Sequence, residues 1–234
     1  NSGLDGDPPL PGRWSTVEQY LNMFDRKVAV NIAYILGNSP VRIDAIGWED
    51  RPATRADVEN MKAVVREAMQ EGAFGMSTGL DYPPGNYAST DELVSLSEQV
   101  AALGGIYHTH VRYKLGDRFY DPFNEALDIG RRSGVPVHIT HFYQRSTSAG
   151  GGRRLLRLVE DAQDGGQDVT FDSYPYVYGS TRLLIVFPDW AHDGGPKRVR
   201  EALRSPEARE RLRQEVTPRS LSWHDMWLTY FKKP

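Results

Sequence analysis

Four stretches of the chain start at a glycine and then turn apolar: GAFGMSTG (72–79), GIYHTH (105–110), GVPVHITH (134–141) and GQDVTFDSY (166–174). Their leading residues, Gly72, Gly105, Gly134 and Gly166, lie 33, 29 and 32 residues apart. Between them the apolar period lengthens. Asp57–Glu71 carries Val58, Met61, Val64, Val65 and Met69 at helical spacing, and Thr54 with Asp57 forms a capping box at its start. Thr90–Leu103 repeats the pattern with Leu93, Leu96, Val100 and Leu103, opened by Ser89 with Glu92. Phe123–Ser133 and Arg154–Gln163 read as two further helices. A glycine near each helix end supplies the left-handed residue that closes it.

An earlier run, VAVNIAYIL (28–36), reads as one more strand. A strand and then a helix about every 30 residues is the pattern of a parallel βα array. The expected strands are 28–36, 73–77, 105–110, 135–141 and 168–173, parallel and adjacent in sequence order. No G-x-G-x-x-G follows any of them, which argues against an open dinucleotide-binding sheet. The pattern therefore predicts an α/β fold: a portion of a (β/α)8 TIM barrel, about five parallel strands with outer helices. The domain reading is a single incomplete catalytic barrel over 1–234. Residues 1–27 form an irregular leading segment, 28–190 the βα units, and 191–234 a helical segment leading to later strands.

Polar residues gather at the C-terminal ends of these strands: Ser77, Thr78, His110, Thr140, His141 and Asp172. In a barrel those ends form the active-site face. Strand alternation puts His108 and His110 on one face, with His110 nearer the rim. His141 closes the next strand at matched height, sharing a face with Val135, Val137 and Ile139, while His138 faces the other way, towards a helix. His108 reads as a packed interior histidine. Neighbouring rim imidazoles could share one metal ion, and they could equally be hydrogen-bonded strand ends with no metal. His192 and His224 lie outside the repeat.

Composition narrows the classes. Lys and Arg total 28 against 31 Asp and Glu, a formal net charge of −3, which gives no reason to expect nucleic acid. The Arg198–Arg213 stretch interleaves Arg with Glu, as a solvated helix face does. No run of 18 apolar residues is present, so no membrane partner is expected. The absence of cysteine removes disulfides and thiolate ligands from this chain and fits a reducing, cytoplasmic compartment. The chain starts at Asn1 and stops after the aromatic stretch Trp223–Phe231, which reads as a segment of a longer protein.

In combination, DRPAT (50–54), EGAFGMSTGLDYPPGNYAS (71–89), GGIYHTHVR (104–112), EALDIGRRSGVPVHITH (125–141) and DVTFDSYPY (168–176) resemble the N-acyl-D-amino-acid deacylases (D-aminoacylases) of the amidohydrolase superfamily. The likeness runs from about Trp14 to Trp223. It implies a metal-dependent amidohydrolase barrel that hydrolyses the amide of a small-molecule N-acylated D-amino acid. Zinc would be bound by the His of T-H-x-R and the His closing V-P-V-x-I-[ST]-H, which fall on His110 and His141. The tyrosine of Y-P-P-G, Tyr82, is similar to one that contacts substrate; the alternative is a residue that merely anchors a Pro-Pro turn.

The departures are specific. The family's early H-x-H pair and its metal-binding cysteine are absent, and the general-base aspartate is expected beyond Pro234. Tyr143 stands where family members carry a lysine for the substrate carboxylate, and Gly37-Asn38 stands where they commonly read Gly-His. Asp172 is taken as the only rim-height carboxylate, a structural residue of its turn. This segment alone is expected to be inactive. Two other readings stay open: a non-catalytic amidohydrolase-fold binding protein, and a dihydroorotase-like cyclic-amide hydrolase. The Y-P-P-G-x-Y-A stretch argues against the latter.

Overall fold

The computed structural model describes residues 14–113, 118–143, 151–176, 179 and 181–216. The expectations for residues 1–13, for Trp223–Phe231 and for His224 lie outside them. Five strands form one parallel sheet in the order β1-β2-β3-β4-β5: Ile35–Gly37, Gly75–Gly79, Ile106–His110, Val137–Ile139 and Val169–Phe171. The chain passes through α1 (Val17–Asn22) before the sheet, then α2 (Asn38–Ile46) and α3 (Arg55–Gln70) between β1 and β2. The later crossovers are α4 (Thr90–Ala102), α5 (Asp121–Ser133) and α6 (Gly151–Asp164). After β5 come α7 (Asp189–His192), α8 (Gly195–Arg204) and α9 (Pro206–Glu215).

One face of the sheet is the core. Met76, Tyr107, Val137, Ile139 and Val169 pack in one buried cluster with Val65 of α3, Leu93 and Leu96 of α4, Ile129 of α5 and Leu155 of α6. Thr78 and Thr109 share a buried hydrogen bond of 2.8 Å, and the Tyr107 hydroxyl lies 3.0 Å from Thr78 Oγ1. The opposite face carries Ser77, His108, His110, His138 and Thr170, and it is the polar side. This is half of the layered arrangement that a βα barrel closes upon.

The helix signals resolve in detail. Thr54 and Asp57 make the reciprocal capping box. Ser89 accepts the Glu92 N–H, but the Glu92 carboxylate does not return the bond. It pairs instead with the fully buried Arg42 guanidinium of α2, which also donates to the Arg51 carbonyl. A buried cation outcompetes a local cap for a carboxylate that can neutralise it. The helix-closing glycines Gly72, Gly104, Gly134 and Gly166 all have positive φ.

Two element expectations need correction. Residues 28–34 are not strand; β1 is confined to Ile35–Gly37, and Val28, Val30 and Ile32 are exposed. The apolar run reads as a strand, but main-chain pairing to β2 begins only at Ile35. Helix α2, which follows immediately, has no counterpart in the expected pattern. Its first turn holds Pro40, a residue tolerated there because the N–H it lacks would have no helical partner.

Candidate metal centre

His110 ends β3 and His141 lies two residues past β4, and their rings meet edge-to-face with centroids 4.6 Å apart. His110 Nδ1 and His141 Nε2 are separated by 2.9 Å. The outer nitrogen of each ring is also engaged. His110 Nε2 sits 3.2 Å from the Asp81 carboxylate. His141 Nδ1 lies 3.0 Å from the Tyr113 hydroxyl, which itself donates to the His141 carbonyl at 2.9 Å.

These partners fix the tautomers. An ionised Asp81 accepts the proton on His110 Nε2. Tyr113 spends its own proton on the His141 carbonyl, so its oxygen is left to accept from His141 Nδ1. With both rings neutral, each then presents a lone pair to the other. Two nitrogen lone pairs at 2.9 Å repel unless a cation lies between them. The donor set therefore fits a metal: two neutral imidazoles, each with its far N–H held by an oxygen, as metal-bound histidines usually are. Tetrahedral zinc with bonds of about 2.0–2.1 Å needs its nitrogens roughly 3.4 Å apart, a small opening of the pair.

The route by which His141 arrives differs from the alternation argument. By parity His141 would join Val137 and Ile139 on the helix-facing side. The strand ends at Ile139, and His141 adopts a left-handed backbone with φ 39°. That reversal swings the ring to the polar face, and Phe142 takes the core position against Phe123 and Phe171. Asp172 holds the turn: its Oδ1 accepts the His141 N–H at 2.8 Å, and its carbonyl accepts the Phe142 N–H.

His138 is the plain correction. It is not turned towards a helix. It pairs in register with His108, and the two rings stack at 5.0 Å with 17° between their planes. His138 Nδ1 meets Thr170 Oγ1 at 2.7 Å, and Nε2 meets Asp172 Oδ2 at 3.0 Å. Burial, with the neighbouring His138, depresses the His108 pKa. Burial pushes Asp172 up, but hydrogen bonds from the His141 N–H, His138 and Thr140 outweigh it, so its pKa is lowered.

Asp172 is also not the only carboxylate at the rim. Asp81, almost wholly buried, stands there too, beside Tyr82 in LDYPP. The available signal was its place one residue before the Y-P-P-G tyrosine, on the loop after a barrel strand. Tyr82 lies with its ring 5.1 Å from the His110 ring and its hydroxyl 2.7 Å from Thr181 Oγ1. Arg112 fastens the same loop. It pairs with Glu125 at 3.0 Å and donates to the carbonyls of Asn86 and Ala88. Tyr143 stacks on Tyr113, 5.7 Å away at 19°, and adds its ring to an aromatic wall with Tyr174. Asn38 is fully buried at the start of α2.

Five adjacent parallel βα units with polar chemistry at the strand C-termini define part of a (β/α)8 barrel of the amidohydrolase kind. The chain is 40% identical to a D-aminoacylase of Alcaligenes xylosoxydans xylosoxydans over 156 residues, 66% of this chain and 32% of that protein. It is 34% identical to an N-acyl-D-aspartate deacylase of the same organism over 181 residues, 76% of this chain and 36% of the relative. It superposes on an N-acyl-D-glutamate deacylase from Bordetella bronchiseptica, solved with zinc and a phosphonate inhibitor, with a TM-score of 0.64 and 28% identity. That match covers 70% of this chain and 35% of the other. No family model matches. The chain belongs to the N-acyl-D-amino-acid deacylase family of amidohydrolases. It spans about a third of the length of these curated relatives.

Proposed function

We propose that this chain forms part of a zinc-dependent hydrolase that cleaves the linear amide bond of N-acyl-D-amino acids, with His110 and His141 as zinc ligands. The observation that carries the reading is the facing pair of imidazole nitrogens, His110 Nδ1 and His141 Nε2, 2.9 Å apart. The family supports the substrate class, since its members named above act on N-acylated D-amino acids or are D-aminoacylases.

When bound, zinc supplies a water acidified towards neutral pH and a Lewis acid for the scissile carbonyl. The chain's own residues prepare the place. Asp81 fixes the His110 tautomer and Tyr113 that of His141, which leaves both ligand lone pairs pointing inward. Asp172 sets the left-handed turn that carries His141 to the site. Tyr82 borders His110 and is assigned to the substrate, with its hydroxyl held by Thr181. Tyr143, aromatic where a lysine would meet a carboxylate, leaves recognition of that carboxylate to another group. The general base is not assigned within the chain.

The test is made in the full-length protein with N-acetylated D-amino acids of neutral and acidic side chain. Replacing His110 and His141 together by Ala should abolish amide hydrolysis and weaken zinc binding at this site. Hydrolysis at the unaltered rate in the double variant would remove the proposal.

A further inference from the structure

Below the His110–His141 pair, on the same polar face, the sheet brings together a second group of donors. We propose that His108, His138 and Asp172 form a separate binding site for a divalent first-row transition-metal ion such as zinc or cobalt. Each residue offers one ligand atom, and the three atoms lie within 4.8 Å of one another. Among the described residues this is the place where three metal-ligating side chains converge. The site does not depend on the catalytic reading given above.

The register builds it. His108 and His138 are cross-strand partners on β3 and β4, and Thr170 on β5 is the next partner in the same row. The two imidazoles stack 5.0 Å apart with 17° between their planes. Asp172 follows β5 and aims Oδ2 at His138 Nε2, 3.0 Å away. An ion bonded to both at ~2.1 Å would see them about 90° apart, a cis angle common in metal sites, and the His108 ligand nitrogen lies within 4.8 Å of both atoms.

The surroundings suit a ligand role. Thr170 Oγ1 sits 2.7 Å from His138 Nδ1, placed to accept a proton there once an ion takes the Nε2 lone pair in place of the Asp172 hydrogen bond. The other Asp172 oxygen is held by the His141 N–H, so one carboxylate oxygen is anchored and one is directed at the ion. Two half-buried imidazoles and a carboxylate form a borderline donor set, favouring zinc, cobalt or nickel over calcium or magnesium. The set also differs from the rim pair in composition: an imidazole pair with oxygen partners behind it there, a His₂Asp triad here.

Full-length protein, stripped of metal, is titrated with Co²⁺ while visible absorption and bound cobalt per chain are followed. The unaltered protein should bind one cobalt per chain more than the His138→Gln variant, with loss of one set of visible bands. His108→Gln should lose the same equivalent. In the His110→Ala, His141→Ala background the equivalent should persist and then disappear when His138→Gln is added. Circular dichroism confirms that each variant compared is folded. Identical cobalt stoichiometry in unaltered and His138→Gln protein would overturn the proposal and leave His138–Asp172 a hydrogen-bonded pair only.

Discussion

His141 reaches His110 through a left-handed residue, not through strand alternation. Its φ of 39° brings Nε2 to 2.9 Å from His110 Nδ1, while the next side chain, Phe142, is buried on the opposite side of the sheet against Phe123 and Phe171. The alternation of a strand ended early is thus reversed by one residue. Phe142 supplies the packing that holds the reversal, and Asp172 supplies the hydrogen bonds. Phe142→Ala should cost about 3 kcal/mol of stability in denaturant unfolding, as a buried aromatic truncation does. Retained stability would show that the turn is held by Asp172 alone.

Asp81 is expected to act through His110. Asp81→Asn keeps the shape and removes the charge that fixes the proton on Nε2. Metal affinity at the rim pair should fall about 10- to 100-fold by chelator competition, with the fold intact. Unchanged affinity would mean that Asp81 serves only the loop.

Arg112 ties the Tyr82 loop to α5. Arg112→Ala removes the Glu125 pair and two carbonyl contacts, and stability should drop by about 2 kcal/mol. The loop 81–88 should exchange its amide hydrogens faster than the rest of the sheet edge, measured by mass spectrometry. Uniform exchange across the chain would contradict the clamp.

The buried Arg42–Glu92 pair gives an asymmetric expectation. Arg42→Met alone leaves Glu92 charged in the core and should destabilise by about 3–5 kcal/mol. Adding Glu92→Leu should recover most of that loss, because the pair's desolvation is removed together with its attraction. A double variant no better than the single one would show that the ion pair contributes net stability.

Asp57 predicts a pH dependence. The Arg51 guanidinium, with the Thr54 hydroxyl and N–H, holds its carboxyl well below the usual carboxylate range. A depressed acid contributes stability above its unfolded pKa of about 3.9 and loses it as pH falls through the folded value. Stability should therefore decline more steeply below pH ~4 in the unaltered protein than in Asp57→Asn. Equal acid slopes would contradict the capping assignment.

The sequence carried the parallel order of five strands, the capping box at Thr54 and the positions of the closing glycines, because these rest on local chemistry. It missed where β1 begins, because exposed Val28, Val30 and Ile32 look like a buried strand until pairing is known. His138 was placed on the wrong face and His141 on the right spot for a wrong reason. Both follow from treating 135–141 as one unbroken strand when pairing stops at Ile139. Glu92 was read as a cap because its partner Arg42, fifty residues earlier, leaves no trace in local spacing. Asp81 was overlooked since its role appears only when the loop after β2 folds over the end of β3.

The central claim is that a metal ion sits between His110 and His141, and anomalous scattering at the zinc edge tests it most directly. Crystals of the zinc-loaded full-length protein should show a peak within about 2.0–2.1 Å of both His110 Nδ1 and His141 Nε2, with Asp81 and Tyr113 on the outer nitrogens. Two rings still in direct contact at 2.9 Å, with no peak between them in the presence of zinc, would contradict the account.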